Sequence, residues 1–481
     1  MKIESQAPTG VDQAKKSAST SPAPPPTAGN ISSAATIVNQ PPPSPTAANL
    51  PRSMTEGSPL LLRHEGGLQA WLVVLGSFLV HSFVFAPTEY IFGIFEHHYL
   101  TIFPESNPSS IAFVGSVGSA VTYLAGFLAG IVADRFGFRL TAMTGSVIMT
   151  VALILASFST QVWHLYLTQG VLFGIGASLA YYPAIAAPSH YFSRKRGLAT
   201  GIAVSGVGAG GLILAPLTNA LIGHFDIYWT LRILAFICMV LCGGASLLIS
   251  ESKEHYAAKE SIEDEMDEKP EASITEDKSF FEALKVFKDP QFLSLSIAEL
   301  AASIGFLIPL YYMQKNGALI LGLTSGASLA GRIVLGVISD YVPNSYALLF
   351  CSWATALAIV VLWTIARSFG MLLLSGLIFG FFGGGYLSLV PVAVADSFGT
   401  MQMASTIGLM YAAAGFGMLA GAPLAGFLLD ITKPDISYLP VTLTAGGTLV
   451  LGAIGVSSWF LFNRRARRAR KAAAALRVDC S

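Results

Sequence analysis

Residues 197–216 (GLATGIAVSGVGAGGLILAP) recur in altered form at 404–423 (ASTIGLMYAAAGFGMLAGAP). At an offset of 207, Gly201 falls on Gly408, Gly208 on Gly415, Gly210 on Gly417, Ala215 on Ala422 and Pro216 on Pro423. Both copies are long, apolar and rich in small residues. A helix of that kind has no polar face to leave in water, so it belongs in a membrane. Two halves that repeat a membrane helix suit a transporter, because similar halves can rock around a shared central site.

The rest of the chain agrees. Hydrophobic residues make up 53% and charged residues 12%, with a mean hydropathy of +0.61. A soluble domain carries about 25% charged residues. A crossing helix needs about 20 apolar residues. Such runs fall near 69–92, 110–133, 140–159, 163–186, 197–223 and 229–249. After a polar stretch, six more fall near 291–313, 317–339, 345–366, 369–394, 402–429 and 438–462. The expected fold is all-α: twelve transmembrane helices in two six-helix bundles. The bundles are expected at 65–250 and 291–463, joined by an acidic linker at 251–290. A Pro-, Ala- and Ser-rich tail at 1–64 lacks the apolar content to order itself, and a basic tail follows at 464–481.

Lys and Arg set the expected orientation. Arg135 and Arg139 lie between helices two and three, and Arg194, Lys195 and Arg196 between four and five. Six more basic residues crowd 464–471, whereas the opposite loops hold little beyond Lys315, Arg367 and Lys433. Both termini and the linker are therefore expected in the cytoplasm. Within the linker, 279–288 (SFFEALKVFK) reads either as an amphipathic surface helix or as plain tether.

Helix two ends in GIVADRFGFR, with Gly130, Asp134, Arg135 and Arg139. Its echo, GVISD, runs from Gly336 to Asp340 and lacks both arginines. Glycines allow close helix packing, and an aspartate there can face the positive end of a neighbouring helix. This paired signature resembles that of the major facilitator superfamily. Two further strings, Glu65-Gly66-Gly67 through Trp71, and Tyr191-Phe192 through Arg194 and Arg196, resemble the monocarboxylate porter signatures in their fungal form. The resemblance runs from Glu65 to Arg464. It implies the major facilitator fold, alternating access and a small organic solute, with a proton as companion.

The resemblance also marks departures. Better-known animal members carry a lysine late in helix one and an Asp–Arg pair in helix eight. Here Glu89 stands near the lysine position, and Ser328 replaces the aspartate while Arg332 remains. Proton–lactate chemistry therefore does not carry over. The link at 313–317 (MQKNG) is also shorter than the family pattern.

Arg332 is the leading site candidate. Arginine at the centre of a membrane helix costs about 2.5–3.5 kcal/mol on insertion scales, so it needs a partner or a wet cavity. Its fork suits a carboxylate. The rival role is a structural pair with Glu299, the acidic residue deep in helix seven, which is itself a candidate for substrate or proton. His81, Tyr182 and Tyr386 complete the candidate set. Tyr181, Pro183 and Pro391 mark related kinked positions in helices four and ten, and Tyr311 and Tyr312 a candidate outer closure.

Other strings carry less. The GxGxxG at Gly206–Gly211 lies within an apolar helix with no preceding strand, so it is no dinucleotide site. Glu96, His97 and His98 read as an outer loop rather than a metal site. No cofactor or nucleic-acid partner is expected, and no enzyme constellation assembles. The acidic dileucine at Leu60 and Leu61 would suit a sorting adaptor, placing a vacuolar or endosomal membrane beside the plasma membrane. The function expected is secondary transport of a monocarboxylate or related organic anion. The alternatives are efflux of a fungal secondary metabolite, uptake of a neutral vitamin-like solute, and a non-transporting nutrient sensor.

Overall fold

A computed structural model describes residues 66–252, 285–314, 318–400, 403–431 and 439–478. Glu65, the dileucine, most of the linker and the 315–317 turn lie outside the described residues, as do the Tyr311 and Tyr312 side chains. Residues His64–Ser481 form one compact unit.

Every backbone N–H and C=O inside a bilayer must be bonded within the protein, so apolar runs of this length become helices. The first half holds α1 (Leu68–Ile102), α2 (Ser109–Leu124 with Gly126–Phe136), α3 (Phe138–Ala156), α4 (Val162–Tyr191), α5 (Arg196–His224) and α6 (Ile227–Leu248). The second half holds α7 (Pro290–Gln314), α8 (Ala318–Tyr341), α9 (Asn344–Trp363), α10 (Phe369–Phe398), α11 (Met403–Ile431) and α12 (Leu439–Val478). Eleven of these helices are long and apolar enough to span as single rods; α2 makes the twelfth, bent by 45°. Large apolar side chains such as Leu128, Phe236, Phe350 and Phe427 stand exposed on the outside, as a lipid-facing surface requires. The last helix continues past its apolar part through Arg464 to Val478, because the Ala-, Arg- and Lys-rich sequence there is itself a strong helix former.

Two seams join the halves. Along one, α5 packs on α8; along the other, α2 packs on α11. The pairs are related by the internal repeat. Glycine permits both approaches. A Cβ on Gly201 would press on the Arg332 carbonyl, and one on Gly130 would meet the backbone of Ala404 and Ser405. At the same end of the molecule, Asp340 accepts from the Gly197 and Leu198 N–H groups at 2.7 and 2.9 Å. Asp134 accepts from the Ser405 N–H at 3.1 Å. Each carboxylate therefore sits at the positive start of a helix from the opposite half. Arg196 adds an ion pair to Asp396 at 2.9 Å, bridging α5 and the end of α10. Arg139 and Arg194 stay exposed at this end, and Arg135 lies 5.6 Å from the Phe136 ring.

The two porter-like strings meet in space. Gly66 takes φ 93°, a glycine-favoured turn leading into α1. Gly67 then caps the helix start. Trp71 packs edge-on against Phe192 at 5.0 Å. Tyr191 bonds Ser250 and the Glu251 carbonyl, tying the end of α4 to the end of α6.

Candidate functional site

Between the halves lies a cavity lined from α1, α2, α4, α5, α7, α8, α10 and α11. Helix α1 supplies Glu89 through a local irregularity. Pro87 has no N–H to give to the preceding turn and its ring crowds that turn's carbonyl. The backbone widens into a π turn over Ala86–Tyr90, a feature often found where a helix must present a side chain. Glu89 faces the cavity, and its Oε1 is buried without a hydrogen-bond partner.

Arg332 comes from the middle of α8 and is 2% exposed. Its Nε donates to Ser328 Oγ at 3.3 Å and its Nη1 donates to the Val204 carbonyl of α5 at 2.9 Å. Glu299 on α7 accepts from the Tyr386 hydroxyl at 2.6 Å. The rival structural pair between Arg332 and Glu299 is therefore not formed. Each holds a separate partner, and both line the same cavity.

The remaining wall is aromatic. Tyr181 stacks on Tyr411 at 6.4 Å with 20° between planes, and Phe85 meets Tyr181 edge-on at 5.0 Å. Tyr123 stacks on Phe85 at 5.6 Å, and Phe306 closes the α7 side. Only about 40 Å³ is open to the centre of a water-sized sphere. That admits a few waters, each needing about 10–15 Å³.

Three of the five candidates, Arg332, Glu299 and Tyr386, thus share the cavity. The other two stand behind it. His81 is fully buried, with Nδ1 2.6 Å from the Ser77 carbonyl and its ring edge-on to Tyr181. Tyr182 points into the α2 bend, where its ring fills the space left by Gly126, and its hydroxyl donates to the Tyr123 carbonyl at 3.4 Å.

The fold and the paired seams carry the signature of one group of proteins, and the sequence matches it. The family model of the Major Facilitator Superfamily matches residues 67–344 and again 301–478. The chain belongs to the major facilitator superfamily. It is 31% identical to the agnestins efflux protein of Paecilomyces divaricatus, over 80% of this chain and 86% of that protein. It is 29% identical to monocarboxylate transporter 13 of Bos taurus (81% and 88%) and to human monocarboxylate transporter 12 (89% and 85%). Among solved structures, the human organic anion transporter MFSD10 superposes with a TM-score of 0.59 at 13% identity, covering 81% of this chain and all of that one. As a member of the superfamily, the chain is a multi-pass membrane transporter of a small organic solute and not an enzyme.

Sequence reasoning missed Tyr123 and Tyr411 in this facilitator. The internal repeat held a signal for one of them. Tyr411 falls on Val204, so the two halves differ there by a large polar ring at a position that faces the centre.

Proposed function

We propose that the solute is a small organic anion, a monocarboxylate or close relative, and that Arg332 receives its charged group. The observation that carries this reading is the Arg332 hydrogen-bond inventory. A guanidinium has five N–H donors. Two are used, by Ser328 and the Val204 carbonyl, and neither partner is a carboxylate. A buried cation beside a cavity, with donors to spare, is matched in charge and geometry by a carboxylate held through two parallel bonds. The relatives named as monocarboxylate transporters support the same class.

The solute crosses by alternating access. Closure of the end that carries Asp134, Asp340 and the Arg196–Asp396 pair is one extreme of the rocking motion. A proton travels with the anion on Glu89 or Glu299, the two carboxyl groups of the cavity. The membrane is the plasma membrane, with both termini in the cytoplasm.

The test is uptake and efflux of labelled short-chain and aromatic acids by vesicles holding purified protein. Arg332→Ala is expected to abolish saturable flux, and Arg332→Lys to leave a residue of it. Equal flux by wild type and Arg332→Ala for a confirmed substrate would remove the anion-binding role. A second reading, export of a larger aromatic metabolite, is favoured by the rings of Phe85, Tyr123, Tyr181 and Tyr411 and by the efflux relative. It predicts that aromatic acids compete far better than short-chain ones in the same assay.

A further inference from the structure

A second cavity lies away from the transport path. It sits at the end of the molecule opposite the Asp134 and Asp340 contacts, between the end of α3, the α3–α4 connection and the start of α6, and measures about 340 Å³. Arg232 is part of its wall. Helical side chains lean toward the N-terminus, which carries this guanidinium from the second turn of α6 back to the helix start. It lies between two rings, 4.9 Å from Phe158 and 4.8 Å from Trp229, and Nε donates to Ser157 Oγ at 3.0 Å. Ser159, 3% exposed and in the cavity lining, has an Oγ with no partner. Asp226 completes the wall. One of its oxygens caps α6 by accepting from the Trp229 N–H at 2.7 Å, and the residue is exposed.

The surroundings identify the level. Leu155 on α3 and Phe236 on α6 are exposed apolar residues of the lipid-facing surface, Trp229 is exposed in the cavity wall, and Trp163 is exposed at the start of α4. Tryptophan of this kind marks the headgroup layer. The charges identify the class. A simple anion on Arg232 would be repelled by Asp226, and a simple cation on Asp226 would be repelled by Arg232. A zwitterion satisfies both. Arg232 and the orphan Ser159 hydroxyl suit a phosphodiester. Asp226 suits a primary ammonium, which donates hydrogen bonds that a quaternary one lacks.

We propose that this cavity is a binding site for the headgroup of phosphatidylethanolamine in the adjacent leaflet. Phosphate rests on Arg232 and Ser159, and the amine on Asp226. The site is independent of the transported solute.

The test is native mass spectrometry of the full-length protein, released from detergent with equimolar phosphatidylethanolamine, phosphatidylcholine and phosphatidylglycerol. Wild type should retain phosphatidylethanolamine roughly tenfold over the other two, the scale of one charge-assisted hydrogen bond. Arg232→Gln should lose all retained lipid, and Arg232→Lys part of it. Asp226→Asn keeps the helix cap, since asparagine caps as well as aspartate, and should erase the preference for the amine. An unchanged preference in Asp226→Asn, or wild-type retention in Arg232→Gln, overturns the proposal. Displacement by soluble glycerophosphoethanolamine at concentrations equal to the lipid would also overturn it, by assigning the site to a water-soluble ligand.

Discussion

The two cavity carboxyls are not equivalent. Glu299 is bonded to Tyr386, whereas Glu89 presents a buried oxygen that nothing in the protein satisfies. On the proposed reading, a proton on that carboxyl would leave Arg332 to the anion. The sign follows. Acidifying the side from which solute loads should raise flux in wild type, and Glu89→Gln should make flux indifferent to the imposed gradient while still saturable. Pyranine-loaded vesicles read both proton and solute. A pH response that survives in Glu89→Gln would move the role to Glu299. Arg332 and Glu299 were legible in the sequence because a charge within an apolar run stands out. Tyr182 was singled out where its neighbour Tyr181 lines the cavity. Adjacent residues on a helix point about 100° apart, and a small hydropathy moment gives no clue to the inward direction. The aromatic wall was hidden for the same reason.

At the scale of the helix, two departures from regular geometry shape the site and the layer behind it. The π turn at Ala86–Tyr90 aims Glu89, and the bend in α2 makes room for Tyr182 against Gly126. Pro87→Ala permits a regular turn and shifts every side chain beyond it. It should weaken solute binding about tenfold with little loss of thermal stability, as read by a transport KM and a melting curve. Gly201→Val should act differently. Its added bulk meets the Arg332 carbonyl, and overpacking costs about 1–3 kcal/mol. The seam should open, with reduced stability and slow turnover. Hydropathy made the spans legible, because membrane insertion depends on local composition, although α1 runs on to Ile102 and α12 to Val478, past the expected ends at 92 and 462. It gave no bend or π turn, since these depend on which helix lies alongside. The glycine ladders were legible, although their partners were not.

For the whole molecule, the repeat foretold two similar halves, and the structure joins them by two similar seams and shows what differs between them. Asp134 and Asp340 repeat; the Arg196–Asp396 pair has no repeat-related partner among the described residues. Its side chains are 15% and 30% exposed, so it is worth about 1 kcal/mol or less, a shift of at most about fivefold between the two rocking states. Arg196→Ala should raise labelling, from that end, of a cysteine introduced in the cavity wall as Ser303→Cys by such a factor. Arg196→Asp combined with Asp396→Arg should restore the wild-type rate. Failure of the swap to rescue would mean that Arg196 acts through its own helix alone.

The bond from Arg332 to the Val204 carbonyl crosses the α5–α8 seam. A ligand that takes the Nη1 hydrogen now given to Val204 would release this strap between the halves, whereas one held on the spare donors would leave it fastened. A neutral isostere of the solute, filling the cavity without taking that donor, would leave the strap fastened. If the solute is the proposed acid, such a molecule would occupy the protein and not be carried, which makes amides and esters of that acid the natural place to look for inhibitors.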